Sequence, residues 1–222
     1  MTTSAAASAP TDRRAEVRRN REMALGFGIG SVLFAAGAAG AALGATPRTS
    51  NVLFALGAVG FTLAALVQLI GAVAHFPPGP KPVRRSLTDP DLTSSVIQFV
   101  GTVAFNVMTL RAVLLPPTTA DYGLVWRPDV IGSMCFLISS WIAWHPIVRA
   151  RRHTLVPGRS LMILRANMAG SIFFAISAWG AELVGPDNLK SVFWNNVGTF
   201  VGALGFLVAA VLLWPPRRPS DE

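Results

Sequence analysis

Three charged residues stand where a bilayer would hold them at a cost. Arg111 lies near the end of one apolar run, Asp129 opens the next, and Glu182 closes a later one. A charge partly inside a membrane needs a partner, and an arginine cannot shed its proton. The positions predict an Arg111–Asp129 or Arg111–Glu182 ion pair near one membrane face, or an ion or substrate site built from the same groups. Gln98 and Asn167 each lie three residues before a glycine, Gly101 and Gly170, as Asp129 does before Gly132. One helical turn separates such pairs, so these polar groups flank a close-packed face. They either line a polar path or make interhelical hydrogen bonds, which average about 0.6 kcal/mol in membranes. Arg111, Asp129, Glu182, Gln98 and Asn167 form the candidate polar site.

Other chemistry finds little support. His75 and His145 are 70 residues apart at matching places, but Trp214 holds the third such place and cannot titrate, so a belt role is favoured over proton sensing. Gly-x-Ser-x-Gly, His-Glu-x-x-His and phosphate-loop patterns are missing from the sequence, so no catalytic residue is assigned. The one cysteine, Cys135, sits in an apolar run and reads as a small packing residue. Neither a metal nor a cofactor is expected. The net charge of +8 does not point to nucleic acid, because the basic residues flank apolar runs instead of lining a soluble face.

The elements that position these groups are membrane helices. Half of the 222 residues are apolar and only 14% are charged. The apolar residues come in blocks near the roughly 20 residues that a bilayer needs. Six spans are predicted: 23–45, 51–75, 93–115, 129–148, 161–183 and 191–214. The first is too long for a signal-peptide core and is expected to be retained. Residues 1–22 read as a basic, disordered cytoplasmic tail and 215–222 as a short one.

Each span carries the same short pattern, a glycine followed by a small residue and, at i+4, a phenylalanine. The glycines are Gly30, Gly57, Gly101, Gly132, Gly170 and Gly202, and the phenylalanines are Phe34, Phe61, Phe105, Phe136, Phe174 and Phe206. Small residues let membrane helices approach closely, so the six glycines are read as helix-packing positions. Gly30, Gly101 and Gly170 are 71 and 69 apart, and Gly57, Gly132 and Gly202 are 75 and 70 apart. Pro77, Pro146 and Pro215, which read as helix stops at the membrane edge, are 69 apart in both steps. The repeat is a helical hairpin of about 70 residues, present three times as 23–75, 93–148 and 161–214. Copies with an even number of spans share one orientation and are related by an axis along the membrane normal.

Lysine and arginine set the orientation. One side holds Arg13, Arg14, Arg18, Arg19, Arg21, Lys81, Arg84, Arg85, Arg149, Arg151, Arg152, Arg159, Arg165, Arg217 and Arg218. The other holds only Arg48, Arg111, Arg127 and Lys190. Basic loops stay in the cytoplasm, so both termini are expected there. Trp144 and Trp214 then mark the inner interface, and Trp126, Trp179 and Trp194 the outer one.

The Gly-Ser-x-x-Phe core resembles the YrhK-like membrane domain. The matching residues are Asn167-Met168-Ala169-Gly170-Ser171-Ile172-Phe173-Phe174 and Asn195-Asn196-Val197-Gly198-Thr199 through Trp214, mainly in the last hairpin. That resemblance implies a small bacterial membrane protein without an assigned activity, and it carries over no catalytic residue. The expectation is an all-α polytopic protein of a bacterial plasma (inner) membrane. Its partners are the lipid bilayer and, through the Gly-small faces, other membrane proteins or further copies of itself. A non-enzymatic accessory or structural role comes first. A transporter or channel with a path between the hairpins is the alternative, and a lipid-modifying enzyme the weaker one.

Overall fold

A computed structural model describes residues 10–74, 89–115, 122–150, 158–185 and 188–216. It contains six helices: α1 (Pro10–Ala42), α2 (Pro47–Ala74), α3 (Pro90–Leu114), α4 (Tyr122–Ala150), α5 (Gly158–Gly180) and α6 (Val192–Leu213). Five of them, all except α4, are long and apolar enough among the described residues to cross a membrane. The surface of the bundle is aliphatic, as a lipid-facing surface must be. Leu56, Val59, Leu63, Leu66, Ile70 and Val73 form an exposed stripe on α2, and Val96, Val100, Val103, Val107, Leu110 and Leu114 one on α3. The interior combines alanine and phenylalanine with small polar residues, of which Ser31, Thr102, Ser133, Ser139 and Ser171 are fully buried.

The helices form a closed ring. Each packs on its neighbours in chain order, and α6 returns to α1. The close pairs are α1 with α2, α3 with α4 and α5 with α6. Glycine makes them close: a Cβ placed on Gly30 would lie 2.8 Å from the Gly57 carbonyl oxygen, and one on Gly170 2.9 Å from that of Gly202. In α3 and α4 a Cβ on Gly132 would lie 3.1 Å from the Gly101 carbonyl oxygen. The motif then interlocks within each pair, because every glycine faces the phenylalanine of the partner helix. Gly30 meets Phe61 and Gly57 meets Phe34; Gly101 meets Phe136 and Gly132 meets Phe105; Gly170 meets Phe206 and Gly202 meets Phe174. The small residue after each glycine, whether Ser31, Ala58, Thr102, Ser133, Ser171 or Ala203, is no more than 1% exposed.

Polar groups join one pair to the next. Asn106 Nδ2 donates to the Ala58 carbonyl at 3.3 Å and to Thr62 Oγ1, tying α3 to α2. Ser171 Oγ donates to the Phe136 carbonyl at 3.1 Å, and Ser133 Oγ to that of Phe174 at 3.3 Å, tying α4 to α5. Between α1 and α2 the chain turns at Gly44, whose φ of 87° is open to glycine. Its N–H donates to the Ala41 carbonyl at 3.3 Å and that of Ala45 to Gly40 at 2.8 Å, which satisfies the end of α1.

Several boundaries differ from the sequence reading. α1 begins at Pro10 instead of 23, so residues 10–22 are helical and not disordered. Good helix formers dominate there; Glu22 pairs with Arg18 one turn earlier at 3.7 Å, and the Arg19 stem packs over Gly71 of α2. α4 starts seven residues early and continues through Pro146 to Ala150, because proline removes one hydrogen bond but keeps a helical φ. α5 stops at Gly180 instead of 183, and two short antiparallel strands follow, β1 (Leu183–Gly185) and β2 (Asn188–Leu189). They are closed by Lys190 N–H to the Glu182 carbonyl at 2.7 Å and Ser191 N–H to that of Gly180 at 2.9 Å. His75, Pro77, Lys81, Arg84, Arg85, Arg151, Arg152, Arg217, Arg218 and the first nine residues lie outside the described residues.

Candidate functional site

The helix axis of the ring is filled by the six motif phenylalanines. Odd helices run one way and even helices the other, so a residue four positions past the glycine lands on opposite sides of the glycine level. Phe34, Phe105 and Phe174 make one triangle, with ring centroids 6.2, 5.7 and 5.7 Å apart. Phe61, Phe136 and Phe206 make the second, at 6.0, 5.7 and 5.4 Å. The layers meet through Phe34–Phe61 at 5.5 Å, Phe105–Phe136 at 5.1 Å and Phe174–Phe206 at 5.2 Å. Most of these contacts are edge-to-face, which suits the aromatic quadrupole. All six rings are 2–4% exposed. The six motif phenylalanines, to which the sequence reading gave no role of their own, thus form a two-layer plug.

A cavity opens on each side of the plug. One, of about 880 Å³, ends on Phe206 and Phe27 and is lined by Arg19, Gln68, Asp89, Ser95, Gln98, Ser140 and Asn167. Asp89 caps α3 by accepting from the Leu92 N–H at 2.9 Å, and Gln68 reaches Ser95 Oγ at 3.4 Å. The other, of about 710 Å³, ends on Phe34, Phe105 and Phe174, with Arg48, Arg111, Tyr122, Trp126, Asp129 and Asn196 around it. The candidate polar residues are therefore divided. Gln98 and Asn167 line the first cavity, Arg111 and Asp129 the second, and Glu182 lines neither.

The expected Arg111 ion pair does not form. Among the described residues Arg111 meets neither Asp129 nor Glu182; its Nη1 donates to the Leu124 carbonyl at 2.9 Å. Pro128 explains this. Lacking an N–H, it leaves the carbonyl four residues earlier, that of Leu124, without its helical donor, and Arg111 supplies one. Glu182 is taken by Lys190 at 2.6 Å, and the Lys190 ammonium lies 4.8 Å from the Trp179 ring centroid. Asp129 is left without a hydrogen-bond or ion-pair partner among the described residues. Tyr122 and Trp126 spend their polar ends on α5: Tyr122 Oη donates to the Ala181 carbonyl at 2.7 Å and Trp126 Nε1 to that of Ala178 at 2.9 Å. Burial, with the Asp129 carboxylate nearby, pushes the Tyr122 phenol up to about 12.

Sequence reasoning passed over Tyr122 and the Pro128–Leu124 gap, and read Trp126 only as a marker of the outer interface. A signal for the gap was present, since a proline seventeen residues after an arginine in the neighbouring helix frees a carbonyl at a predictable place. Cys135 packs against Gly101. Among the described residues no three His, Cys, Asp or Glu side chains converge as a metal site would need. No family model, no curated protein and no solved structure matches this chain.

Proposed function

We propose that this chain is a non-enzymatic, non-conducting protein of a bacterial plasma membrane, of the YrhK-like kind. It crosses the bilayer six times as three copies of one hairpin, with both termini in the cytoplasm. The observation that carries this reading is the phenylalanine plug. Six buried rings in two layers occupy the axis along which a path between the hairpins would run. The reciprocal glycine–phenylalanine contacts in all three helix pairs support the repeat. On this orientation the Arg48, Arg111 and Asp129 cavity faces outwards and the Gln98 and Asn167 cavity inwards.

The alternative is a transporter, and what favours it is that two cavities end on opposite faces of one cluster. The test is permeability. The purified protein in liposomes should add no leak of potassium, chloride, protons or a small neutral solute above that of empty liposomes. Flux by the wild-type protein that disappears when Phe136 is changed to tryptophan would overturn the closed reading in favour of transport.

A further inference from the structure

We propose that the cavity between Asp129 and Arg111 binds a small zwitterion, its ammonium against Asp129 and its carboxylate or phosphate towards Arg111 and Arg48. Asp129 sits one turn from the close-packed level at Gly132. Its neighbour Tyr122 and the wall residue Trp126 have already spent their hydrogen-bond donors on α5 carbonyls. Their rings line the same cavity as Phe34, Phe105 and Phe174 and as the Asp129 carboxyl group, which has no ion-pair partner among the described residues. Carboxylate plus aromatic faces is the chemistry that holds an ammonium group.

A simple cation would not suit the whole cavity, because Arg48 and Arg111 share it. Their level is different. Arg111 binds the Leu124 carbonyl, and Leu124 lies five residues, or about 7–8 Å of helix rise, nearer the cavity mouth than Asp129. Arg48 is exposed in the first turn of α2. An acidic group is therefore placed deep and positive charge near the mouth, 710 Å³ being ample for a molecule of amino-acid size. A guanidinium that already donates one hydrogen bond keeps four more N–H groups for an anion. The ligand chemistry is an ammonium joined to an acid group a few bonds away, whether a free solute or the head group of a zwitterionic phospholipid. The site does not depend on the plug being closed.

Glycine betaine is the probe, with tetramethylammonium and acetate as its two halves, added to the full-length protein in nanodiscs of phosphatidylglycerol and followed by tryptophan fluorescence and calorimetry. Betaine should bind saturably, and each half at least tenfold more weakly. Asp129→Asn should weaken betaine at least tenfold and Arg111→Gln several-fold, while Glu182→Gln should leave it unchanged. Nanodiscs of phosphatidylethanolamine separate the two sources. Competition there assigns the site to a lipid head group, and unchanged betaine affinity assigns it to a free solute. Absence of saturable betaine binding to the wild type, binding equal to that of tetramethylammonium, or full binding by Asp129→Asn would overturn the proposal. The comparison of betaine with its halves needs no variant, so it stands even if Asp129→Asn does not fold.

Discussion

One substitution, glycine to alanine, should have opposite signs at two positions of this bundle. At Gly205 a Cβ would lie 2.8 Å from Gly170 N, 2.9 Å from Gly170 Cα and 3.0 Å from the Ala166 carbonyl oxygen. All three are backbone atoms of α5, so no rotamer change relieves the contact. Comfortable carbon contacts begin near 3.5 Å, so α5 and α6 must part by about 0.5–0.7 Å. That loosens the Gly170–Phe206 and Gly202–Phe174 contacts and the plug they position. Such overpacking costs about 1–3 kcal/mol, against about 1 kcal/mol that alanine returns in helix propensity. Gly205→Ala should therefore destabilise by up to about 2 kcal/mol. At Gly28 the nearest atom is Ala210 Cβ at 3.8 Å, an ordinary contact. Gly28→Ala keeps the propensity gain and should stabilise by up to about 1 kcal/mol. The two variants should differ by the overpacking cost alone, about 1–3 kcal/mol, or roughly 2–12 °C in Tm for a domain of this size. Thermal unfolding in mild detergent, followed by near-ultraviolet dichroism, measures this. Shifts of the same sign and size would refute the reasoning that backbone approach at the glycines sets the packing of the ring.

Further outcomes follow from single contacts. In a double-mutant cycle, Arg111→Ala should cost about 1 kcal/mol beside Pro128 and less in a Pro128→Ala background, where Leu124 regains a helical donor; additive costs would show that the arginine is not capping that carbonyl. Ser31 Oγ is buried without a partner among the described residues, and alanine already holds the matching place in two other motifs. Ser31→Ala should therefore be neutral or stabilising, and Ser171→Ala, which breaks the bond to Phe136, destabilising by about 1 kcal/mol; thermal unfolding of both variants gives the answer. Tyr122 is the only tyrosine, so tyrosinate absorbance reads it alone. Its folded pKa of about 12 lies above the ordinary value of about 10. The stability it contributes is present below pH 10 and lost as pH rises through 12, and a titration midpoint near 10 would contradict its burial. Single cysteines at Ser86 and Thr118 test the orientation: labelling from outside intact cells should reach Thr118 and spare Ser86.

The sequence by itself determined the composition of the elements. Apolar runs of bilayer length, glycines that bring two backbones together and a basic bias between spans are local properties, readable without coordinates. Six helices and close approach at the motif glycines follow from them. Helix ends were less legible, because the start of α1 depends on Arg19 lying across Gly71, and a proline such as Pro146 can be carried inside a helix. The polar site depended on tertiary placement. Charge and burial predict that Arg111 needs a partner, but only the packing of α3 on α4 decides that this is the carbonyl freed by Pro128. With Lys190 placed by the β-hairpin against Glu182 and Arg111 on the Leu124 carbonyl, Asp129 is left without a hydrogen-bond or ion-pair partner among the described residues. The plug was decided in the same way. An i+4 phenylalanine is a packing residue in any one helix; it becomes a closed axis only when six antiparallel helices form a ring and their rings meet in two layers at its centre.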